Sequence, residues 1–551
     1  MPNFVRIVVA CCAVAGGLSI GGPLAWADDP LATQIDQQIA AGPDYAAMAA
    51  PLADDAEFIR RVSLDLNGVT PTTARVREFL ASTAPNKREA LVDELLASPL
   101  YARHMEKVFD VMLMQRRGNK HVPAADWSKY LRESFAANKP WDQMARELLS
   151  QDGSDPALRP AARFFLDRDA DPHLITKDVG RLFLGVNLEC AQCHDHPAID
   201  DYKQAHYWGL HAFLVRSFVF QNPNEPAVLA EKAEGEVTFE SVFEIRDKKS
   251  TGPKSTMPVL FDGKPFDEPK FEKDAGYKVK PADKVKPVPL HSRRALLGPA
   301  VADPASPKFA RAFANRVWWL MFGRGLVEPL ELDHSDNPPS HPALLDALTQ
   351  EVIARKYDVK SLLRSIALSQ TYQRGSLPPA GAPEAPPERF AVAPLRPMSA
   401  EQLAWSYSQA VGLLDAHKAP LGPTGTVDQA MDKLPSVEPH FRNYFASEAG
   451  RIERGYDARS DQALFLAHDG SLLSWISPSG PNLATRMLAI PADQPEAMAE
   501  ELYLSVLSRP ATAEEKADVV AYLSASSDDR TKAVMHLIWA TVNSAEFRFN
   551  H

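Results

Sequence analysis

Cysteine is scarce: four in 551 residues. Two of these, Cys11 and Cys12, fall in an N-terminal apolar stretch, so a processed chain would keep only Cys190 and Cys193. A long exported protein stapled by disulfides spreads its cysteines widely. That scaffold is excluded. Excess positive charge is missing too. Sixty Lys and Arg stand against 71 Asp and Glu, a net charge of −11. Nucleic acid and anionic membrane surfaces are therefore not expected partners. Beyond the first 27 residues no stretch reaches the roughly 20 apolar residues that cross a bilayer.

What is present supports large folded cores. Apolar residues make up 45% of the chain and charged residues 24%, outside the range of global disorder. At about 100–200 residues per domain the length implies two or three domains. Residues 1–27 read as a secretory signal. Arg6 gives a positive start, Ile7 to Leu24 an apolar run broken by Gly16, Gly17, Gly21, Gly22 and Pro23, and Ala25-Trp26-Ala27 a small-x-small cleavage site. The competing reading is an uncleaved anchor, because the run is nearly long enough to span. The glycines and proline beside a cleavage site favour removal. The expected location is periplasmic or secreted, in the cell envelope, with no integral span after cleavage.

After a lead segment at 28–54, a helical domain is expected over 55–216. Thr70-Pro71 opens a helix with proline at the first helical position. Leu91, Val92, Leu95 and Leu96 repeat at helical spacing until Pro99 stops them. Residues 217–290 differ. Val237, Phe239, Phe243 and Ile245 alternate with polar residues, which is strand periodicity. Ten lysines with many prolines follow between Lys248 and Lys286. This segment reads as a small β-containing insert with an exposed basic loop. A second helical domain is expected over 291–551, with Phe309, Phe313 and Val317 on one stripe. A proline-rich loop sits near 377–387, and capping boxes at Ser399/Gln402 and Thr512/Glu515. The expected fold class is mainly α: two helical domains with a small β-containing insert between them.

One motif carries chemistry. In Cys190-Ala191-Gln192-Cys193-His194 two thiols are spaced to add to the two vinyl groups of haem, with a histidine placed to ligate its iron. Haem c, bound by Cys190, Cys193 and His194, is the expected cofactor. Export, the absence of other mature cysteines and a preceding helix all agree with it. Other readings stay open: a redox or structural disulfide, a zinc site drawing on Cys190, Cys193, His194 or His196, or inert thiols with no cofactor. Met257 is the candidate distal iron ligand, against a plain packing role for this methionine. His206 and His211 are rivals. His196 is too close in sequence to cross to the other haem face and is expected to stay on the proximal side as a hydrogen-bonding group. Trp208 and Phe213 have the size to pack on a macrocycle, or simply to fill core.

Phe58-Ile59-Arg60-Arg61-Val62-Ser63-Leu64-Asp65-Leu66-Asn67-Gly68 and Phe183-Leu184-Gly185-Val186, with Cys190 through Pro197, resemble the planctomycete cytochrome-c-associated domain of unknown function. Ala314-Asn315-Arg316-Val317-Trp318, Gly323 through Pro329, Asn337 through Pro342, Arg396 through Gln402 and Leu507-Ser508-Arg509-Pro510 resemble its usual C-terminal partner domain. The resemblance covers nearly the whole mature chain. It implies association with cytochrome c chemistry but no established activity. Members often carry a separate cytochrome c domain ahead of these two, which this sequence lacks. They also usually place a bulky aromatic where Ala198-Ile199-Asp200-Asp201 stands here.

The functional expectation is an exported envelope protein with a redox or electron-transfer role and a redox partner such as a cytochrome. The alternative is a non-redox binding or polymer-processing module in which the motif is a metal or disulfide clip. Whether it is an enzyme is left open. Ser335 and Ser340 lie beside His334 and His341. Neighbouring residues make a poor nucleophile–base pair and no nucleophile-elbow glycines flank either serine, so no hydrolytic site is expected there.

Overall fold

The computed structural model describes residues 29–261, 263–272, 275–450 and 458–551. The expected signal at 1–27 lies outside these residues. Helices dominate, and the strands form only two-stranded pairs. No described helix is long and apolar enough to cross a membrane.

Capping residues set the helix boundaries. Thr72, not Pro71, starts helix Thr73–Ala81: its hydroxyl accepts the Arg75 N–H at 3.3 Å. Pro71 therefore stays outside the helix, which begins where the Thr72 hydroxyl satisfies one of the orphan N–H donors of its first turn. Ser98 ends Lys87–Ala97 and caps Pro99–Met114, where Pro99 does sit at the first helical position. Both capping boxes form, at Ser399/Gln402 and Thr512/Glu515.

The buried side chains fall into two clusters, and they do not separate at the insert. The first runs from Leu31 to Ala391 and takes in residues on both sides of it. Trp141 is its hub, 2% exposed. Its indole stacks on Phe183 at 5.8 Å, and on Phe313 at 5.5 Å and Phe309 at 6.4 Å from beyond the insert. The second cluster runs from Met398 to Phe547, joined by Leu64 and Val69. One helix, Asp55–Asn67, serves both. Phe58, Ile59, Val62 and Leu66 enter the first cluster and Leu64 the second. Five of its polar residues, Arg60, Arg61, Ser63, Asp65 and Asn67, are buried as well. Arg60 donates to the carbonyl of Phe547 at 2.9 Å and Arg61 to that of Tyr372 at 2.7 Å.

The insert contains three antiparallel pairs: Ser217–Phe220 with Val228–Glu231, Val237–Phe239 with Lys254–Thr256, and Tyr277–Val279 with Val288–Pro289. Phe243 and Ile245 do not continue the strand. They lie in helix Val242–Arg246 and are exposed. Ser241 ends the extended run by accepting the Glu244 N–H at 3.4 Å. Two alternating residues are too few to distinguish strand from a single helical turn.

The insert is not a separate lobe. Val259 donates its N–H to the carbonyl of Gly209, and a Cβ on Gly209 would lie 2.5 Å from Val259 Cγ1. The chain after Thr256 thus lies directly on helix Gln204–His211, at a point only glycine allows.

Candidate functional site

Helix Pro172–Phe183 ends before Gly185, whose φ of +68° turns the chain back. Asp333 N–H donates to Gly185 O at 3.1 Å and Val186 bridges to Leu332, which fastens this turn to the chain beyond the insert. The motif follows as a 3-10 turn, Cys190–Gln192. Ala191 is buried and anchors the turn, while Cys190 and Cys193 are exposed free thiols. An apolar anchor between two exposed cysteines points both thiols outward from one turn.

His194 follows. Its Nδ1 lies 2.6 Å from the carbonyl of Asp195. A carbonyl accepts only, so Nδ1 carries the proton and Nε2 is left with its lone pair. This is the orientation in which a histidine ligates a metal. The ring stacks on Phe243 at 4.0 Å, with planes 14° apart. Phe243 belongs to the insert, and Val242 N–H donates to Cys193 O at 3.1 Å. Phe243, in the short exposed Val242–Arg246 helix, therefore covers one face of the imidazole. The donor set fits a c-type haem: two free solvent-facing thiols and a histidine with an available Nε2. Among the described residues no three His, Cys, Asp or Glu side chains converge as a metal-ligand group.

Behind the turn is a polar cluster. Trp208 Nε1 donates to Gln192 O at 3.1 Å. The Gln192 side chain meets His173 Nδ1 at 3.2 Å, and Tyr207 OH meets the same nitrogen at 2.7 Å. His211 stacks on His173 at 4.5 Å. Burial, then repulsion from His173, lowers the His211 pKa to about 4, so it is neutral at pH 7.

The other expected residues are placed as follows. His196 Nδ1 accepts the backbone N–H groups of Ala198 and Ile199, and the backbone N–H of His196 donates to Tyr202 O at 2.8 Å. It thus closes the 196–202 loop. Burial, then the neighbouring His334 and His194, holds its pKa below the usual histidine value. Met257 faces an arginine: its Sδ is 3.9 Å from an Arg293 nitrogen, in a cluster where Arg293 and Arg216 both pair with Glu268. No contact brings Met257 to His194. His206 Nδ1 accepts the Lys203 N–H. Trp208 stacks on Phe239, and Phe213 is fully buried against Phe266.

The 196–202 loop is tied to the second half of the chain. Asp201 accepts the Ser335 N–H at 2.6 Å and its hydroxyl at 3.0 Å. Tyr202 is buried with its ring edge-on to His334 at 5.5 Å. Contrary to expectation, the adjacent Ser340 and His341 do meet, Oγ to Nδ1 at 3.2 Å. Among the described residues neither shows a hydrogen bond to a carboxylate that would orient the pair for catalysis.

Sequence reasoning missed Phe243, which the alternation placed in a strand, and the His173–Tyr207–His211 cluster, which has no motif spacing.

Neither a curated protein nor a solved structure matches the chain. Two family models do. Residues 34–217 match PSCyt2, a protein of unknown function (DUF1549), and residues 293–444 match PSD1, a protein of unknown function (DUF1553). The insert falls between the two matches, and the second match crosses from the first buried cluster into the other. The chain thus carries these two domains of unknown function in tandem, with the Cys190–His194 motif in the first.

Proposed function

We propose that this is an exported envelope protein that binds haem c covalently through Cys190 and Cys193, with His194 as iron ligand, and transfers electrons to or from a redox partner protein such as a cytochrome. The observation that carries the reading is the joint state of three side chains: two free, exposed thiols on one turn, followed by a histidine whose Nδ1 is held by a backbone carbonyl. A haem held there would supply one-electron redox chemistry. The chain's own part is positional. Ala191 and the Trp208 hydrogen bond to Gln192 O fix the turn. Asp195 O sets the imidazole tautomer, and Phe243 fixes the ring plane. Phe243 also keeps water from one face of the ring.

The test uses protein matured in a periplasm with a working haem-c attachment system. Thioether bonds survive denaturation. A haem-stained band after denaturing electrophoresis and a haem-c pyridine spectrum are expected. Cys190→Ala and Cys193→Ala should each weaken attachment. A colourless protein of apoprotein mass, or one with Cys190 and Cys193 joined in a disulfide, overturns the reading.

A further inference from the structure

Helix Trp141–Ser150 lies in the first matched domain, and helix Arg293–Val301 opens the second. The two meet at Gly298. A Cβ there would lie 2.9 Å from Arg146 O and 3.0 Å from Arg146 Cα, an approach of helix to helix that only glycine allows. Polar groups close the seam around this point. Arg146 donates to Ala302 O at 2.9 Å, and Arg294 donates to Ser150 O. The backbone N–H of Trp141 donates to Tyr357 O at 3.2 Å. Arg364, itself buried, pairs with Glu89 and Asp93, each at 2.6 Å.

Apolar packing fills the space between. Trp141 and Phe183 on one side meet Phe309 and Phe313 on the other. None of the four is more than 3% exposed. An interface that looks like a domain core cut in half is the kind made by obligate partners. Parting the two sides would bare these rings to water and strip Arg364 of both carboxylates. The connection contributes little to this packing. Among the described residues, none between Leu229 and Leu297 is a buried member of the first cluster.

We propose that the two matched domains are complementary halves of one obligate interface. The partner that fits the apolar face of the first is the second, and the covalent link through the insert is dispensable to their association. Supplied as separate chains, the halves would bind each other in trans. This inference is independent of the haem reading.

The experiment cuts the full chain after it has folded. A specific protease recognition sequence is inserted between Asp283 and Lys284, exposed residues in the turn that Ala282 and Val285 bridge. After cleavage, two fragments are expected in denaturing electrophoresis, but a single species of intact mass in size-exclusion chromatography with light scattering. In urea the fragments should part only at the concentration that melts the helices, read by circular dichroism. Helix Asp55–Asn67 also touches the C-terminal fragment, through Arg60 and Phe547, so a variant isolates the face in question. Gly298→Val in the cut chain should weaken association about 10-fold or more, as overpacking against backbone does, and so lower the urea at which the fragments part. Gly298→Ala takes its place if the valine variant does not fold. Fragments that separate in buffer alone, or a parting concentration that the Gly298 variant leaves unchanged, overturn the proposal.

Discussion

Arg396 reaches the carboxylate of Asp65 at 2.6 Å, across 331 residues of sequence. The same carboxylate accepts from Tyr372 OH at 2.6 Å and from Asn550 Nδ2 at 2.7 Å. Asp65 thus ties its own helix to three distant parts of the chain. Asp65→Ala leaves Arg396 facing an empty site and strips three donors of their acceptor. A loss of about 3–5 kcal/mol is expected, measured by denaturant unfolding. A loss below about 1 kcal/mol would show that the network is replaceable by water.

Phe243→Ala removes the ring stacked on His194. An aromatic pair of this kind contributes about 0.5–1.5 kcal/mol, so the chain should stay folded with a small stability loss. If haem is attached as proposed, attachment should persist while the absorption spectrum shifts, because the thiols are untouched and the imidazole loses the surface that fixes its plane. An unchanged spectrum would show that Phe243 does not set the ring plane.

Gly209→Ala places a methyl 2.5 Å from Val259 Cγ1 and 2.7 Å from its carbonyl oxygen. Backbone cannot yield as a side-chain tip does. Overpacking of this kind costs about 1–3 kcal/mol. The segment after Thr256 should lift from helix Gln204–His211, seen as faster amide exchange at Val259, whose N–H bonds to Gly209 O. Unchanged exchange there would refute the close-approach account.

His211 gives the fold an acid limit. Its folded pKa of about 4 lies below its ordinary value of 6.5, because burial and His173 disfavour the charged ring. The stability tied to its neutral form is complete above pH 6.5 and lost as pH falls from there toward 4. The amount is about 3 kcal/mol. His211→Gln should reduce the slope of unfolding free energy across that window without abolishing it, because burial also holds the His104 pKa to about 4. A wild-type slope in the variant would assign the acid sensitivity elsewhere.

Export is tested on the N-terminus. If Arg6, the apolar run and Ala25-Trp26-Ala27 act as a cleaved signal, protein recovered from the envelope should begin at Asp28. Retention of Met1 in the membrane fraction would count against the proposal.

Much of the local structure follows from residue type alone. Helix content, the capping boxes at Ser399 and Thr512, and the Cys190–His194 motif depend on contacts within a few residues, where side-chain chemistry and period determine the outcome. The Phe58–Gly68 segment was readable only as a signature. Its reason, that one helix faces two cores and holds Arg396 through Asp65, lies in contacts hundreds of residues apart. Likewise nothing local in Val242–Arg246 tells that Phe243 covers His194. Trp141 gathers side chains from both sides of the insert, so the cores divide where the aromatic packing ends rather than where composition shifts. Spacing encodes what neighbours along the chain do to one another; which distant faces meet is decided by burial of the whole apolar surface at once, and only the tertiary structure carries that.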